Sequence, residues 1–413
     1  MMLLMKLAFR NLTRNLRRSL ITLAAIAVGL SVLILGLTLR TGQYEQMISA
    51  GVSQLAGHVV VQHPSFQEER EPEFLIKKHS ELLQKIQDKF PEAHITSRLF
   101  LSGLINSTTS PTFAGITAVE PKSEGEVSEF TEKLVKGVWL DDDIKGILIG
   151  KNMAETLNVD LGDKLVFTGQ YNGEMNSQLF RVKGIFKVGA TEIDSFVAFI
   201  HYQAAQKLMQ QKDIIHQISV HLPNSKDTEK AKIETKNLLN SNISNKEIDI
   251  LSWGEALPDI VNMVKVDKVS NEFINIVLLI IVSMGILNTM LMSVLERFRE
   301  MGVLLAVGMR PQKLALMVLC EGFILGVLGA FLGIILGILV SYPLVTTGLD
   351  MSASMGESMP VGDTVTSTII KGKYDWQMMS FYACEAVVLS ILSAIYPAVK
   401  ILNLHPVEAM RHH

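Results

Sequence analysis

Four apolar runs, at about 20–39, 273–295, 314–340 and 381–402, are each long enough to cross a hydrocarbon core, and a long polar stretch separates the first two. About 20 apolar residues in a helix span the roughly 30 Å of a bilayer core. Lipid offers no water to unpaired backbone groups, so such runs fold as helices. A four-span helical protein with one large inserted polar domain follows. The composition agrees: 48% of residues are hydrophobic, 19% are charged and the mean hydropathy is +0.30. Typical soluble domains carry about 25% charged residues. A net charge of -3 gives no reason to expect nucleic acid. The apolar length of the first run is too great for a signal peptide and no small-residue cleavage site follows at Arg40-Thr41-Gly42, so it reads as a retained anchor. The two cysteines, Cys320 and Cys384, fall inside apolar runs and read as buried membrane thiols; the polar region has none for disulfides.

Basic residues set the orientation. Lys6, Arg10, Arg14, Arg17 and Arg18 precede the first span, and Arg297, Arg299, Arg310 and Lys313 flank the connection between spans two and three. The segment between spans three and four holds Asp350, Glu357, Asp363 and Asp375 against Lys371 and Lys373. The positive-inside rule then places both termini and the 296–312 connection in the cytoplasm, with the polar domain and the 343–378 loop outside. Met5, Phe9, Leu12 and Leu16 recur at helical spacing beside the basic residues. An amphipathic helix on the inner surface is expected, anchored to anionic headgroups in preference to binding a cytoplasmic partner.

The polar domain reads as mixed α/β. Strands are expected at 57–63, 164–168, 179–188 and 196–201, a helix at 80–90, and a hairpin over 101–119 turning near 108–111. Asn172-Gly173 is a turn signal, and 215–222, 227–239 and 247–251 form a β-α-β pattern. Two subdomains fit this order: 44–121 with 215–251, and an insertion over about 122–214. Ser252-Trp253-Gly254-Glu255 has the form of a capping box. A helical stalk is expected to run from it into span two, kinked by Pro258. The division is then 1–19 cytoplasmic helix, 20–40 span one, 41–251 external domain, 252–295 stalk and span two, 296–312 cytoplasmic helix, 313–342 span three, 343–378 external loop, 379–402 span four and 403–413 cytoplasmic tail.

No catalytic or metal site emerges. The string GILIGKN at 146–152 is one residue short of a phosphate-binding loop and lacks its hydroxyl residue. The ten histidines make no paired metal spacing, and no nucleophile motif occurs. Three other patterns stand out. Residues 296–308, ERFREMGVLLAVG, form a short amphipathic segment held between two spans. Gly322, Gly326, Gly329, Gly333 and Gly337 line one face of span three, as small residues do where helix backbones approach closely in lipid. That face is assigned to packing within one subunit in preference to contact between subunits. Glu321, Glu385 and Asn288 are polar residues inside spans, where they usually face protein or water. A structural bond from Arg310 or Lys313 to Glu321 is favoured over ion coupling, since no chain of acids or histidines forms a relay.

The segment from 296 to 333, with E-x-G-x-L-x-A-x-G at 300–308, resembles the FtsX/MacB-like permease signature. YPA at 396–398 with PVEAMR at 406–411 resembles that family's close, and LAFRNLTRNLRRSLIT at 7–22 its entry into span one. Within the family the layout is most similar to LolC/LolE-type lipoprotein-releasing subunits. The resemblance implies a MacB-like periplasmic core with Porter-like and Sabre-like subdomains, in a multi-pass protein of the bacterial inner membrane. It implies a non-catalytic ABC transporter subunit that binds no cofactor, ATP and Mg being held by a separate ATPase dimer. Glu300, Met301, Gly302, Val303, Leu304, Ala306 and Gly308 would dock in the ATPase groove. A second copy or a paralogue would complete the transporter, a homodimer being favoured, with membrane lipid and a periplasmic carrier or lipoprotein as further partners. Extraction of acylated proteins or lipid is the leading expectation. Efflux of peptides or small molecules, and signalling to a cell-wall hydrolase, are the alternatives.

Overall fold

The computed structural model describes residues 2–14, 16–69, 71–171, 173–355, 358–361 and 364–402. The PVEAMR motif, the tail and its two histidines, Asn172, Glu357 and Asp363 lie outside them. The chain forms two compact units, one from Met1–Tyr44, Lys265–Leu349 and Ile369–His413, the other from Glu45–Val264 and Asp350–Thr368. In chain order the principal helices are α1 (Met2–Arg14), α2 (Leu16–Gly51), α3 (His79–Lys89), α4 (Pro121–Gly125), α5 (Lys151–Leu157), α6 (Tyr202–Leu208), α7 (Thr228–Leu238), α8 (Trp253–Ala256), α9 (Pro258–Glu296), α10 (Phe298–Ala306), α11 (Pro311–Thr346) and α12 (Trp376–Leu402).

The first unit is mainly helical. The helices α2, α9, α11 and α12 are long and apolar enough to cross a membrane. Helix α2 runs well past the end of the apolar run at 39, through the polar TGQYEQ stretch, because hydropathy reports depth in lipid and not helix length. Pro258 does not kink a stalk. Helix α8 stops at Ala256 and α9 starts afresh with Pro258 as its first residue, where the missing N–H loses nothing. The Ser252 amide and hydroxyl both donate to the Glu255 carboxylate, at 2.8 and 3.0 Å, and close α8. Cys320 is buried, but Cys384 is exposed on α12, so only one thiol is sheltered within the chain.

The second unit is built on a ten-stranded sheet. Its strands are β1 (Val59–Gln62), β2 (His94–Asn106), β3 (Pro111–Val119), β4 (Leu134–Gly137), β5 (Gly146–Gly150), β6 (Lys164–Tyr171), β7 (Glu174–Phe186), β8 (Val197–His201), β9 (Gln217–His221) and β10 (Asp249–Ser252). The order is β10-β1-β9-β2-β3-β8-β5-β7-β4, with β6 pairing both β2 and β7. Only β3–β8 and β5–β7 are parallel. The β2–β3 hairpin runs in register from Arg98 opposite Val119 to Asn106 opposite Pro111. Two cores result. One collects Val59, Ile86, Ile218 and Ile250; the other collects Leu99, Ile116, Phe167, Phe180 and Ile200. The GILIG string is strand β5, wholly buried between β8 and β7. Gly150 ends it because a Cβ there would come within 2.2 Å of the Asp194 carbonyl oxygen.

One buried charge organises the end of the first long helix. After Gly51 the chain makes a π-helical turn, Val52–Ala56, and Gly57 ends it at φ +70°, the left-handed conformation that glycine adopts freely. The carbonyls of such a last turn have no partner within the helix. Arg98, on β2 and 1% exposed, supplies one: its Nη1 donates to the Gln54 and Leu55 oxygens at 2.8 and 2.6 Å, and its Nη2 to Ser53 at 3.3 Å. The other edge of the guanidinium meets the buried Glu124 carboxylate at 3.0 and 2.7 Å. Gln217 on β9 adds a bond to Leu55 O at 2.7 Å.

Two outcomes follow. Glu124→Ala leaves the guanidinium buried without its counter-charge and should destabilise the α/β unit by about 3–5 kcal/mol, read as a fall in its thermal midpoint. His216 is fully buried; its Nδ1 accepts from the Phe100 amide at 2.9 Å and its Nε2 lies 3.2 Å from the Pro72 carbonyl. Burial pushes its pKa down to about 4, so the unfolded chain takes up the proton first. Stability contributed by this ring is full above the ordinary histidine range and falls as pH drops from about 6.5 towards 4. Denaturant midpoints at neutral and mildly acidic pH should show this loss, and His216→Gln should reduce it.

Candidate functional site

Between α9 and α11 the chain has no room for a domain. Arg297 precedes α10, and Gly308 turns the chain at φ +98° into Arg310 and Pro311, which opens α11. The nine residues of α10 then have two faces. Met301 is 2% exposed and Gly302 is buried, packed with Val294, Leu314 and Val318. Glu300, Val303, Leu304 and Ala306 point outward. Val307, which the sequence reading passed over, is 81% exposed and extends that apolar strip. Met301 and Gly302 therefore cannot form part of a docking surface in this conformation: they face the chain's own helices, because period-3.6 packing assigns them to the inner side.

Beneath α10 lies a polar knot inside the helical unit. Glu321 on α11 is 3% exposed. Its partners are not Arg310 or Lys313, which precede it along its own helix. Arg297 Nη1 lies 3.2 Å from its carboxylate, and Asn11 Nδ2 donates to it at 2.8 Å. Arg297 also reaches Glu300 at 3.6 Å. Three chain regions meet at one carboxylate: α1, the start of α10 and α11. Helical spacing shows only neighbours on one helix, and nothing in the pattern of α1 singled out Asn11. Two N-terminal cations are engaged nearby, Arg14 with Glu300 and Arg18 with Glu296. They are therefore not free for headgroups as expected for the whole basic face, whereas Lys6, Arg10 and Arg17 are exposed.

The five glycines of α11 divide between two neighbours. A Cβ on Gly322 or Gly326 would come within 2.8–2.9 Å of Ala394 or Ser390 on α12. A Cβ on Gly329, Gly333 or Gly337 would meet Ile26, Leu30 or Ile34 on α2 at 2.7–2.9 Å. Ser390 Oγ adds a bond to the Gly322 carbonyl at 2.8 Å. Close backbone approach is what these positions require. Asn288 is exposed on α9 and Glu385 is half-buried on α12. The structure brings neither to the Glu321 knot. A second buried polar bond, from Asn275 Nδ2 to Tyr382 Oη at 2.8 Å, joins α9 to α12 and had no sequence signal beyond two isolated polar residues.

Residues 19–238 match the family described as MacB-like periplasmic core domain, and residues 272–406 the FtsX-like permease C-terminal family. The lipoprotein-releasing system transmembrane protein LolC of Xylella fastidiosa is 23% identical over 410 residues, covering 95% of this chain and 94% of that protein. The uncharacterized ABC transporter permease MJ1507 of Methanocaldococcus jannaschii is 24% identical over 280 residues, 67% of this chain and 65% of its own length. The macrolide export ATP-binding/permease protein MacB of Bdellovibrio bacteriovorus is 33% identical over 134 residues, 32% of this chain and 18% of its own length.

The knot makes a double-mutant prediction. Arg297→Met leaves a buried carboxylate unpaired and should lower the thermal midpoint of the solubilised protein. Adding Glu321→Met removes that charge and should recover most of the loss, a coupling of about 1–3 kcal/mol. Additive losses would show that the pair does not interact.

Proposed function

The chain belongs to the family of ABC transporter permeases that join a MacB-like periplasmic core domain to an FtsX-like permease region, and on that premise we propose that α10 receives the stroke of a separate cytoplasmic ATPase dimer. The observation that carries this reading is the outward strip of α10. Val303 is 49% exposed and Leu304 36%, on a nine-residue helix with a membrane-length helix on each side, and Val307, just past its end, is 81% exposed. Apolar side chains presented in this way need a cover, and Glu300 and the flanking Arg299 and Arg310 supply a polar rim. Glu300, Val303, Leu304, Ala306 and Val307 are the contact residues in this reading. Gly308 lets the chain turn behind them.

The ATPase binds ATP and Mg; this subunit is non-catalytic and passes the movement on through its membrane helices. The N-terminus and the α9–α11 connection are cytoplasmic and the α/β unit periplasmic in this reading, which the basic flanks support. A second copy of the chain completes the membrane part. The cargo is an acylated protein taken from the membrane, since the likeness to LolC extends over 95% of the chain. Efflux of small molecules or peptides is the second reading, favoured by the 33% identity to MacB over a shorter stretch.

Val303→Asp or Leu304→Asp places a charge in the proposed contact and should abolish copurification of the ATPase while the permease remains folded. An intact, active complex in both variants would overturn the assignment. Depletion of the protein should leave acylated proteins in the cytoplasmic membrane; normal sorting with altered drug tolerance would favour efflux.

A further inference from the structure

We propose that the α/β unit holds a binding site for an uncharged amphiphile, a molecule with an apolar body and a hydroxyl or amide hydrogen to donate. The site is a cavity of about 480 Å³ on the face of the sheet opposite its main core. Side chains alternate across a strand, so the residues between the core positions of β2 and β3 point into it. Leu99, Ala114 and Ala118 belong to the core. Phe100 opposite Thr117, and Ser102 opposite Gly115, form the cavity floor. Gly115 is required there, because a Cβ would stand 2.4 Å from the Phe196 ring. Phe66 forms a wall, stacked 4.8 Å from His216. Leu55 and Ala56, at the end of the turn that follows α2, and Ala256 and Leu257, just before α9, close the other side. The volume lies within the roughly 300–1,000 Å³ of small-molecule sites, and the lining has their character: apolar and aromatic walls with few polar groups.

Those polar groups specify the ligand. Gln62 is 3% exposed and its Nε2 donates to Gln67 Oε1 at 2.9 Å. Gln67 Nε2 donates to the Ala256 carbonyl at 3.0 Å, and Gln217 Nε2 to the Leu55 carbonyl at 2.7 Å. Backbone carbonyls only accept, so the nitrogens of Gln67 and Gln217 must face them. Both hydrogens of Gln217 Nε2 are used, on Leu55 O and Ser219 Oγ, as is one hydrogen each of Gln62 and Gln67. The Oε1 atoms of Gln62 and Gln217 take no hydrogen bond from the described residues and can accept one from a ligand. Glu192, exposed, is the one ionisable side chain among those lining the cavity. No cation lines the cavity, so a buried carboxylate or phosphate would have no partner there, which disfavours free anions. An occupant touches the junctions that follow α2 and precede α9, so its affinity depends on where those junctions stand.

The test uses the full-length protein in lipid nanodiscs and needs no ATPase, so its failure is distinct from failure of the permease reading. The probe is a monoacylglycerol with a diazirine in its chain, with the labelled peptides mapped by mass spectrometry. Labelling within 62–67 and 100–117 should saturate and be displaced by unlabelled monoacylglycerol. Thr117→Trp and Ser102→Trp, which fill the floor, should each reduce it about tenfold, a change worth about 1.4 kcal/mol. Labelling of 273–295 should stay constant in every variant. The matching diazirine fatty acid should label the cavity peptides about tenfold less than the monoacylglycerol. Displacement in the unsubstituted protein tests the site even if a variant fails to fold. Labelling that does not saturate, that survives both substitutions in folded protein, or that is equal for the fatty acid would overturn the proposal.

Discussion

The guanidinium of Arg98 joins three parts of the α/β unit: the turn after α2, strand β2 and helix α4. A helix that has run through Leu16–Gly51 must end, and its last carbonyls need donors. Water would serve at a surface, but residues 52–56 are packed against the sheet and Ala56 is 2% exposed. A buried cation is expensive to desolvate, by several kcal/mol, and is tolerated only where hydrogen bonds and a counter-charge surround it. Arg98 has both: three carbonyls at the negative end of the helix and a bidentate carboxylate. The bonds fix where the turn stops, and with it where Gly57 redirects the chain into β1. They also fix one side of the cavity, since Leu55 is both a carbonyl partner of Arg98 and part of its lining. Glu124 ties the same point to α4.

The helical unit obeys the same rule with a different residue. A carboxylate at 3% exposure in an apolar bundle must be paired, and Glu321 is paired with Arg297 and Asn11. The consequence is positional. Arg297 stands at the start of α10, so anchoring it sets that helix's rotation, and Met301 on the next turn packs inward. What remains outside is Glu300, Val303, Leu304, Ala306 and Val307. The proposed contact surface is therefore defined from below, by what the inner face must satisfy. Glycines allow the bundle to close around the knot, because Gly322, one residue beyond the carboxylate, lets α12 approach to contact.

Much of this architecture was visible in the sequence, and the failures have physical causes. The four spans follow from hydropathy alone, and β6, β7, β8, β9 and β10 fall where alternation and turn residues put them. Strand β5 was missed because GILIG is uniformly apolar: a strand buried on both faces has no alternation to detect. The length of α2 was missed because its last turns are polar yet helical. Glu321 was recognised as a buried acid, but its partners were sought at helical spacing on its own helix. Arg297 lies 24 residues away and Asn11 310, distances that only tertiary packing closes. Arg98 gave no signal, since an arginine in an alternating strand reads as a solvent-facing position.

Two sets of contacts hold α10, and they differ in strength. On the outer side Arg14 pairs with Glu300, both well exposed, and Arg18 pairs just before the helix with Glu296, the last residue of α9. Exposed pairs of this kind contribute about 0–1 kcal/mol and weaken with salt. On the inner side lie the Arg297–Glu321 pair and the buried Met301 side chain, whose removal from water alone contributes about 1.5–3 kcal/mol. The inner contacts therefore decide the position of α10, and the outer pairs can exchange partners at little cost. That asymmetry fits the proposed role of α10 as the helix that receives a stroke. A protein bound to its outer strip can displace Arg14 and Arg18 from Glu300 and Glu296 without loosening α10 from the bundle. A push on Val303, Leu304 and Val307 is then borne by Arg297 and Met301, and through them by Glu321 on α11.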